Sequence, residues 1–373
     1  MLENSVMQRK ASLEQVRRLL RHHLNALWRE PSHAAVIPPM MLWGPPGVGK
    51  SALFREVCAE QGIGFIDVRL AQREPVDMRG LPVPRGDAVH WLPSAEWPSD
   101  PASRGIILFD ELTAADRTLQ VAAYEFILDR RLGDLYQVPA GWYVCAAGNR
   151  AQDRAAAGSL SSALANRFCH LELKPELVDW VRWAQSRRLH PDVIAFLRFR
   201  PGMLFDMGGD PERGWPSPRS WERVALELQL AEETNLEPRL LNLLIHGLVG
   251  QGAAVEFRAF RQWAAKLPDV QAMLAGKVPI SVPTRADQRY AFCSALVHHL
   301  WHGTPADLQR RLSAFFKITQ QPSSDFAAMA MIDAATGASA DLTQERSQQL
   351  FAHPGFTAWS QQHGTAFTQR WAA

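Results

Sequence analysis

Apolar residues fall along this chain in two regimes. Up to about Pro175, short apolar runs alternate with stretches of helical spacing; beyond it the runs fade and helical spacing continues. Over residues 12–28, Leu13, Val16, Leu20, Leu24 and Leu27 recur at helical intervals, and Ser12 stands where an N-cap belongs. Residues 30–39 contain three prolines and read as a loop. Met40–Trp43, Phe65–Leu70, Gly105–Asp110, Tyr143–Gly148 and His170–Leu173 are runs of strand length, with helices expected at Lys50–Gln61 and Asp116–Leu128. Alternating strands and helices predict a parallel sheet with helices on both faces.

In the second regime the spacing predicts helices at Glu176–Arg187, Asp192–Arg200, Ser220–Glu233, Pro238–Gly247, Ala253–Ala265 and Arg285–Trp301. Residues 200–219 are rich in glycine and proline and read as a long loop, and Val278–Pro283 reads as a link. The polar tail after Ser339 holds one or two helices. No internal repeat or low-complexity tract is visible.

Composition narrows the class. The 373 residues are 47% hydrophobic and 21% charged, the profile of a globular chain of two or three domains. A formal net charge of +2 lacks the basic footprint of a phosphate-backbone binder. Cys58, Cys145, Cys169 and Cys293 are far apart and form no CxxC pair, which argues against a disulfide framework or a zinc site and fits a reducing compartment. No apolar run approaches the roughly 18 residues that span a bilayer, and the first twenty or so residues lack a signal-peptide core. The expectation is a soluble cytoplasmic protein without membrane insertion.

Residues 44–51 read Gly44, Pro45, Pro46, Gly47, Val48, Gly49, Lys50, Ser51, a full match to G-x-x-x-x-G-K-[ST] between an expected strand and an expected helix. The glycines permit backbone conformations that bring successive N–H groups onto phosphate oxygens. The helix N-terminus adds its positive dipole end. Lys50 supplies charge to the β and γ phosphates, and Ser51 offers a hydroxyl to Mg²⁺.

A second motif closes the run Gly-Ile-Ile-Leu-Phe with Asp110 and Glu111. Two acids at the C-terminal end of a buried strand lie where parallel sheets bind ligands. Asp110 suits Mg²⁺ held through water, and Glu111 suits polarisation of an attacking water. Together the two motifs specify a nucleoside triphosphatase using Mg²⁺. The loop itself does not read the base, and no guanine-specific motif is visible.

With these motifs in hand, the chain resembles the AAA+ superfamily and, within it, the MoxR-like ATPases. Asn149, closing the run YVCAAGN, matches the sensor-1 position that places the attacking water. Arg167, in the stretch ALANRF, looks like the arginine finger that reaches a neighbouring subunit's ATP. Arg219, in PSPRSWE, corresponds to sensor 2 on the lid; spacing alone does not separate it from Arg213 and Arg223. Residues 75–83 (PVDMRGLPV) resemble the insert after the second strand, and residues 130–142 (RRLGDLYQVPAGW) the hairpin before sensor 1. In that family both face a ring's pore, which makes Arg79, Trp91 and Trp97 candidates for client contact or for packing. The likeness covers residues 36–250 well and 251–300 loosely; the first 30 residues and the last 50 or so lie outside it.

The resemblance implies a P-loop AAA+ parallel sheet with flanking helices, followed by an all-helical lid. Over the whole chain the expected divisions are an N-terminal helix (1–35), the nucleotide-binding α/β domain (36–175), the lid (176–300) and, beyond the likeness, a C-terminal helical extension (301–373). It further implies a homo-oligomeric, hexameric ring that hydrolyses ATP to remodel a protein client with a von Willebrand A domain partner. Two rivals are a nucleic-acid-dependent AAA+ motor, disfavoured by the near-neutral charge, and an ATP-assembled scaffold without turnover, disfavoured by Glu111, Asn149 and Arg167. His298 and His302 share a helix face, but no third ligand accompanies them, and no GxSxG elbow is present.

Overall fold

The computed structural model describes residues 10–150, 153, 160, 162–208, 213–264, 266–302, 304–337 and 340–371. The chain divides into two compact units, Met1–Glu176 and Leu177–Ala373.

Unit 1 runs β1 (Lys10–Ala11), α1 (Leu13–Arg29), β2 (Met40–Trp43), α2 (Lys50–Gln61), β3 (Gly64–Arg69), α3 (Pro75–Arg79), β4 (Leu81–Arg85) and β5 (Ala88–Leu92). It continues with β6 (Gly105–Asp110), α4 (Arg117–Asp129), β7 (Arg131–Leu132), β8 (Tyr136–Gln137), β9 (Trp142–Gly148), α5 (Ser162–Ala165) and β10 (Cys169–Leu173). Six strands form one sheet in the order β1-β10-β2-β9-β6-β3, every neighbouring pair parallel. The interior strands β6 and β9 are buried along their whole length, which is why their sequences are unbroken apolar runs. The five expected strands are present within a residue of their expected ends. The edge strand β1 was not expected: two residues with one buried side chain carry no periodic signal.

Helix α1 opens with a capping box, Gln15 N–H donating to Ser12 Oγ (3.3 Å) and Ser12 N–H to Gln15 Oε1 (2.9 Å). It buries Val16, Leu20, Leu24 and Leu27. Residues 31–35, expected as loop, form a 3₁₀ turn. Trp97, one of the client-contact candidates, is a packing residue: it is 5% exposed and its ring centroid lies 4.6 Å from that of Phe126. Trp91 is 46% exposed. The side chain of Arg79 lies outside the described residues.

The first residues of β3 and β6 are glycines because Trp142 lies over them. A Cβ on Gly105 would come within 2.4 Å of the indole, and one on Gly64 within 2.5 Å. The indole N–H donates to Ser103 Oγ at 2.9 Å.

Among its described residues unit 2 contains helices and no strand. It comprises α6 (Leu177–Ser186), α7 (Pro191–Phe199), α8 (Pro218–Thr234), α9 (Pro238–Ala264) and α10 (Val270–Leu274). It ends with α11 (Ala286–Trp301), α12 (Leu308–Thr319), α13 (Ser324–Ala335), α14 (Ala340–Phe351) and α15 (Gly355–Trp371). One core gathers around Phe196, Trp221 and Phe257, a second around Phe292, Phe315 and Trp359. The second core draws on residues either side of position 300, where the sequence reading divides lid from extension. A buried ion pair, Arg198 of α7 with both carboxylate oxygens of Asp333 of α13, joins the helices of the two cores. Contrary to the expectation of no membrane-length run, α9 is long and apolar enough to cross a bilayer by length and composition alone. It breaks at Gly250 (φ 76°), and Leu241, Ile245, Val249, Phe257 and Phe260 bury into the first core.

Gly105→Ala is expected to destabilise unit 1 by about 1–3 kcal/mol, because the added methyl has no room beneath Trp142. Urea unfolding followed by tryptophan fluorescence measures it; an unchanged midpoint would mean that the indole shifts freely.

Candidate nucleotide-binding site

Register brings three strand ends together. Trp43 of β2 pairs with Gly148 of β9, and Phe109 of β6 pairs with Ala146 of β9. The loop after β2, Asn149 after β9, and Asp110 with Glu111 at the end of β6 therefore share one sheet edge, the C-terminal edge where parallel sheets bind ligands. Gly44 N–H donates to Gly148 O at 3.3 Å, fixing the loop's first residue to β9.

The loop turns through Gly47 (φ 82°) and Gly49 (φ 95°), a region that side chains with a Cβ rarely enter. Gly49 is the N-cap of α2, so the first free N–H groups of that helix open onto the loop. Lys50 is 9% exposed, and its ammonium donates to Gly44 O (2.6 Å), Pro45 O (3.0 Å) and Asn149 Oδ1 (2.8 Å). Pro46 and Val48 complete the turn, with Val48 buried.

Ser51 Oγ donates to Asp110 Oδ2, and Asp110 Oδ1 accepts Glu111 N–H at 2.9 Å. Asp110 is buried; Glu111 is exposed with its backbone left-handed (φ 54°). The two carboxylates are thus adjacent in sequence but differently solvated. A turned glycine loop, a buried lysine, and a hydroxyl against a carboxylate are the donor set that a Mg²⁺–nucleoside triphosphate requires.

Two further residues belong here that sequence reasoning did not single out. Thr113 Oγ1 accepts Asn149 N–H and donates to Asn149 O, both at 3.2 Å, and so orients the residue that holds Lys50. Asp67 of β3 lies near Asp110 and Glu111. Burial, and then Asp110, push its carboxyl above the usual range, against the opposing pull of Arg69 and Arg55. Neither belongs to a spacing motif; only the strand register reveals them.

Arg167 is exposed and lies just before β10, whose first residue Cys169 pairs with Met40 at the start of β2. It is therefore at the opposite sheet edge from the loop, about 16 Å away along a five-residue strand. There it borders an open cavity of about 370 Å³ shared with Pro38, Arg130 and Tyr143. His170 braces this segment: Nδ1 accepts from Trp43 Nε1 (2.8 Å), leaving Nε2–H for Ala165 O (2.6 Å). Arg219 is exposed in the first turn of α8, behind the N-cap Ser217, and belongs to unit 2. His298 and His302 stack with ring centroids 4.1 Å apart, and burial pushes His298 down to about 4. Among the described residues no cluster of three or more His, Cys, Asp or Glu is suited to a metal ion.

Residues 40–170 match the ATPase family associated with various cellular activities (AAA). This segment is an AAA ATPase domain in an AAA+ fold, and ATP binding and hydrolysis are the general activity of such a domain. No curated protein is significantly similar in sequence. Among solved structures, the Thermotoga maritima RuvB Holliday junction branch migration motor is 16% identical with TM-score 0.36, covering 75% of this chain and 80% of that one. A mutant of the same RuvB is 14% identical with TM-score 0.39, covering 82% and 91%. NtrX from Brucella abortus in complex with ADP is 17% identical with TM-score 0.34, covering 91% and 68%.

Lys50→Ala is expected to abolish nucleotide binding in a fluorescent-nucleotide titration, whereas Glu111→Gln keeps binding and loses turnover; equal ATPase rates in wild type and Glu111→Gln would remove Glu111 from the chemistry. Asp67 carries a pH signature. Its folded pKa is raised above its unfolded value, so its stabilising contribution is full at acidic pH and is lost as pH rises through the folded pKa. Asp67→Asn should therefore gain stability over wild type towards neutral pH and lose that advantage in acid, read as thermal midpoints across pH. Parallel midpoint curves would contradict this.

Proposed function

We propose that this chain is a MoxR-like remodelling ATPase. It works in the cytoplasm as a homo-oligomeric, hexameric ring, with a von Willebrand A domain partner, on a protein client. The observation that carries the ATPase core of this reading is the buried Lys50 ammonium, gathered by Gly44, Pro45 and Asn149 above a Ser51–Asp110 contact. Lys50 exchanges loop carbonyls for phosphate oxygens when ATP binds. Ser51 and Asp110 would hold Mg²⁺, which would supply positive charge to the phosphates. Glu111, solvated and beside Asp110, takes the proton of the attacking water as it is polarised. Asn149, held by Thr113, orients that water. Arg219 serves as sensor 2.

The position of Arg167 supports the ring. A side chain a strand's length from its own phosphate loop has no use there, but is available to a neighbour's ATP. An arginine supplied in trans is worth about 10³–10⁵ in rate. The exposed β4–β5 hairpin with Trp91 supports a client-facing role.

ATPase rate per subunit is expected to rise with protein concentration as rings assemble, followed in parallel by mass photometry. Arg167→Ala should keep ATP affinity and lose about 10³-fold in turnover, and mixing it with Lys50→Ala subunits should restore part of it. A concentration-independent rate from a persistent monomer would defeat the ring mechanism.

A further inference from the structure

The β4–β5 hairpin is exposed on both faces. Every residue of β5 and all but Val83 of β4 are open to solvent, with Leu81 61%, Val89 59% and Leu92 45% exposed. A two-stranded hairpin without cover is marginal in water.

Two prolines dictate its hydrogen bonds. The register pairs Pro82 with Trp91 and Pro84 with Val89. Proline has no N–H, so neither pair can exchange both ladder bonds. The bonded pairs are therefore Leu81 with Leu92, Val83 with His90, and Arg85 with Ala88. The intervening residues turn their backbone groups outward. On the outer edge of β4 these are Pro82 and Pro84, which present carbonyls and no donor. On the outer edge of β5 they are Val89 and Trp91, which present both donor and acceptor.

The two edges thus differ in kind. Proline at an outward-facing position is a standard block against further strand pairing. It closes β4 and leaves β5 open. Among the described residues, Val89 and Trp91 make no backbone hydrogen bond beyond the hairpin. Outward N–H and C=O groups repeating every second residue fit an extended backbone. Val89 and Trp91 share one face of the hairpin, and Leu81 and Leu92 share the other. An added strand with apolar side chains on both faces would flank Val89 and Trp91 on one face and Leu92 on the other, and such a segment is hidden in a folded protein and available in an unfolded one.

We propose that the outer edge of β5 captures an unfolded, apolar segment of a client polypeptide by strand addition, main chain to main chain. This rests on the reading of the chain as a client remodeller. Recognition through backbone groups asks for apolar side chains and no proline at the paired positions, and otherwise tolerates any sequence.

The test measures fluorescence anisotropy of labelled, reduced and carboxymethylated α-lactalbumin, a permanently unfolded chain, against the full-length protein with a slowly hydrolysed ATP analogue and Mg²⁺. Val89→Pro removes one outward N–H and leaves the hairpin's own bonds intact, as Pro84 opposite already shows. Val89→Ala keeps the N–H. Val89→Pro is expected to bind about fivefold more weakly or worse, the effect of losing one net hydrogen bond, and Val89→Ala within about twofold of wild type. Trp91→Pro against Trp91→Phe repeats the comparison and decides the matter if circular dichroism shows Val89→Pro to be unfolded. If wild type binds and both proline variants bind equally well, the edge inference is overturned and the remodelling reading stands. If wild type does not bind, both fall. Equal losses in Val89→Ala and Val89→Pro would assign the contact to the side chain. A changed oligomer distribution with unchanged affinity would assign the edge to a second copy. Either result overturns the proposal.

Discussion

A buried ammonium must be surrounded by oxygen, since an unpaired charge away from water costs several kcal/mol. Lys50 meets that demand with Gly44 O, Pro45 O and Asn149 Oδ1. Two of these belong to the loop that carries the lysine, and the third belongs to the end of β9. The rest of the site follows. The loop must turn back on itself, which needs left-handed Gly47 and Gly49. Strands β2 and β9 must end at the same level, which their register provides. Asn149 must be held still, which Thr113 does with two hydrogen bonds. The loop is kept closed around its own charge by contacts of the kind that phosphate oxygens replace.

Much of this could be read from the sequence, for a physical reason. Strands buried on both faces are continuous apolar runs, so β2, β6 and β9 announce themselves. The phosphate loop is legible because its chemistry fixes residue types at fixed spacing. Thr113 and Asp67 were not legible, because each acts through strand register between distant segments. Trp97 was ambiguous for the opposite reason: a tryptophan between prolines and charges fits packing and contact equally, and only its burial against Phe126 decides. The β4 sequence, with prolines at alternate positions, argues against a strand by the ordinary rules. It is one because both prolines face outward.

In unit 2 the same limit appears on a larger scale. Helical spacing marks α6–α9 and α11 and one or two helices of the tail, not α10, α12 or α13, and it does not say which helices share a core. The two clusters meet where α7 and α11 pack, and the buried Arg198–Asp333 pair joins residues 135 positions apart. A buried pair of this kind adds little net stability, yet leaving either partner alone is strongly unfavourable. It therefore specifies one arrangement of the helices more than it strengthens that arrangement.

The backbone at Glu111 has a consequence for how this chain varies. A left-handed conformation at φ 54° suits glycine or asparagine, and holding a glutamate there costs about 1 kcal/mol. Drift under selection for stability alone would carry position 111 towards glycine. On the role proposed for Glu111 above, diverged copies of this chain with glycine at this one position would be those expected to have lost nucleotide turnover, and copies with glutamate those expected to keep it.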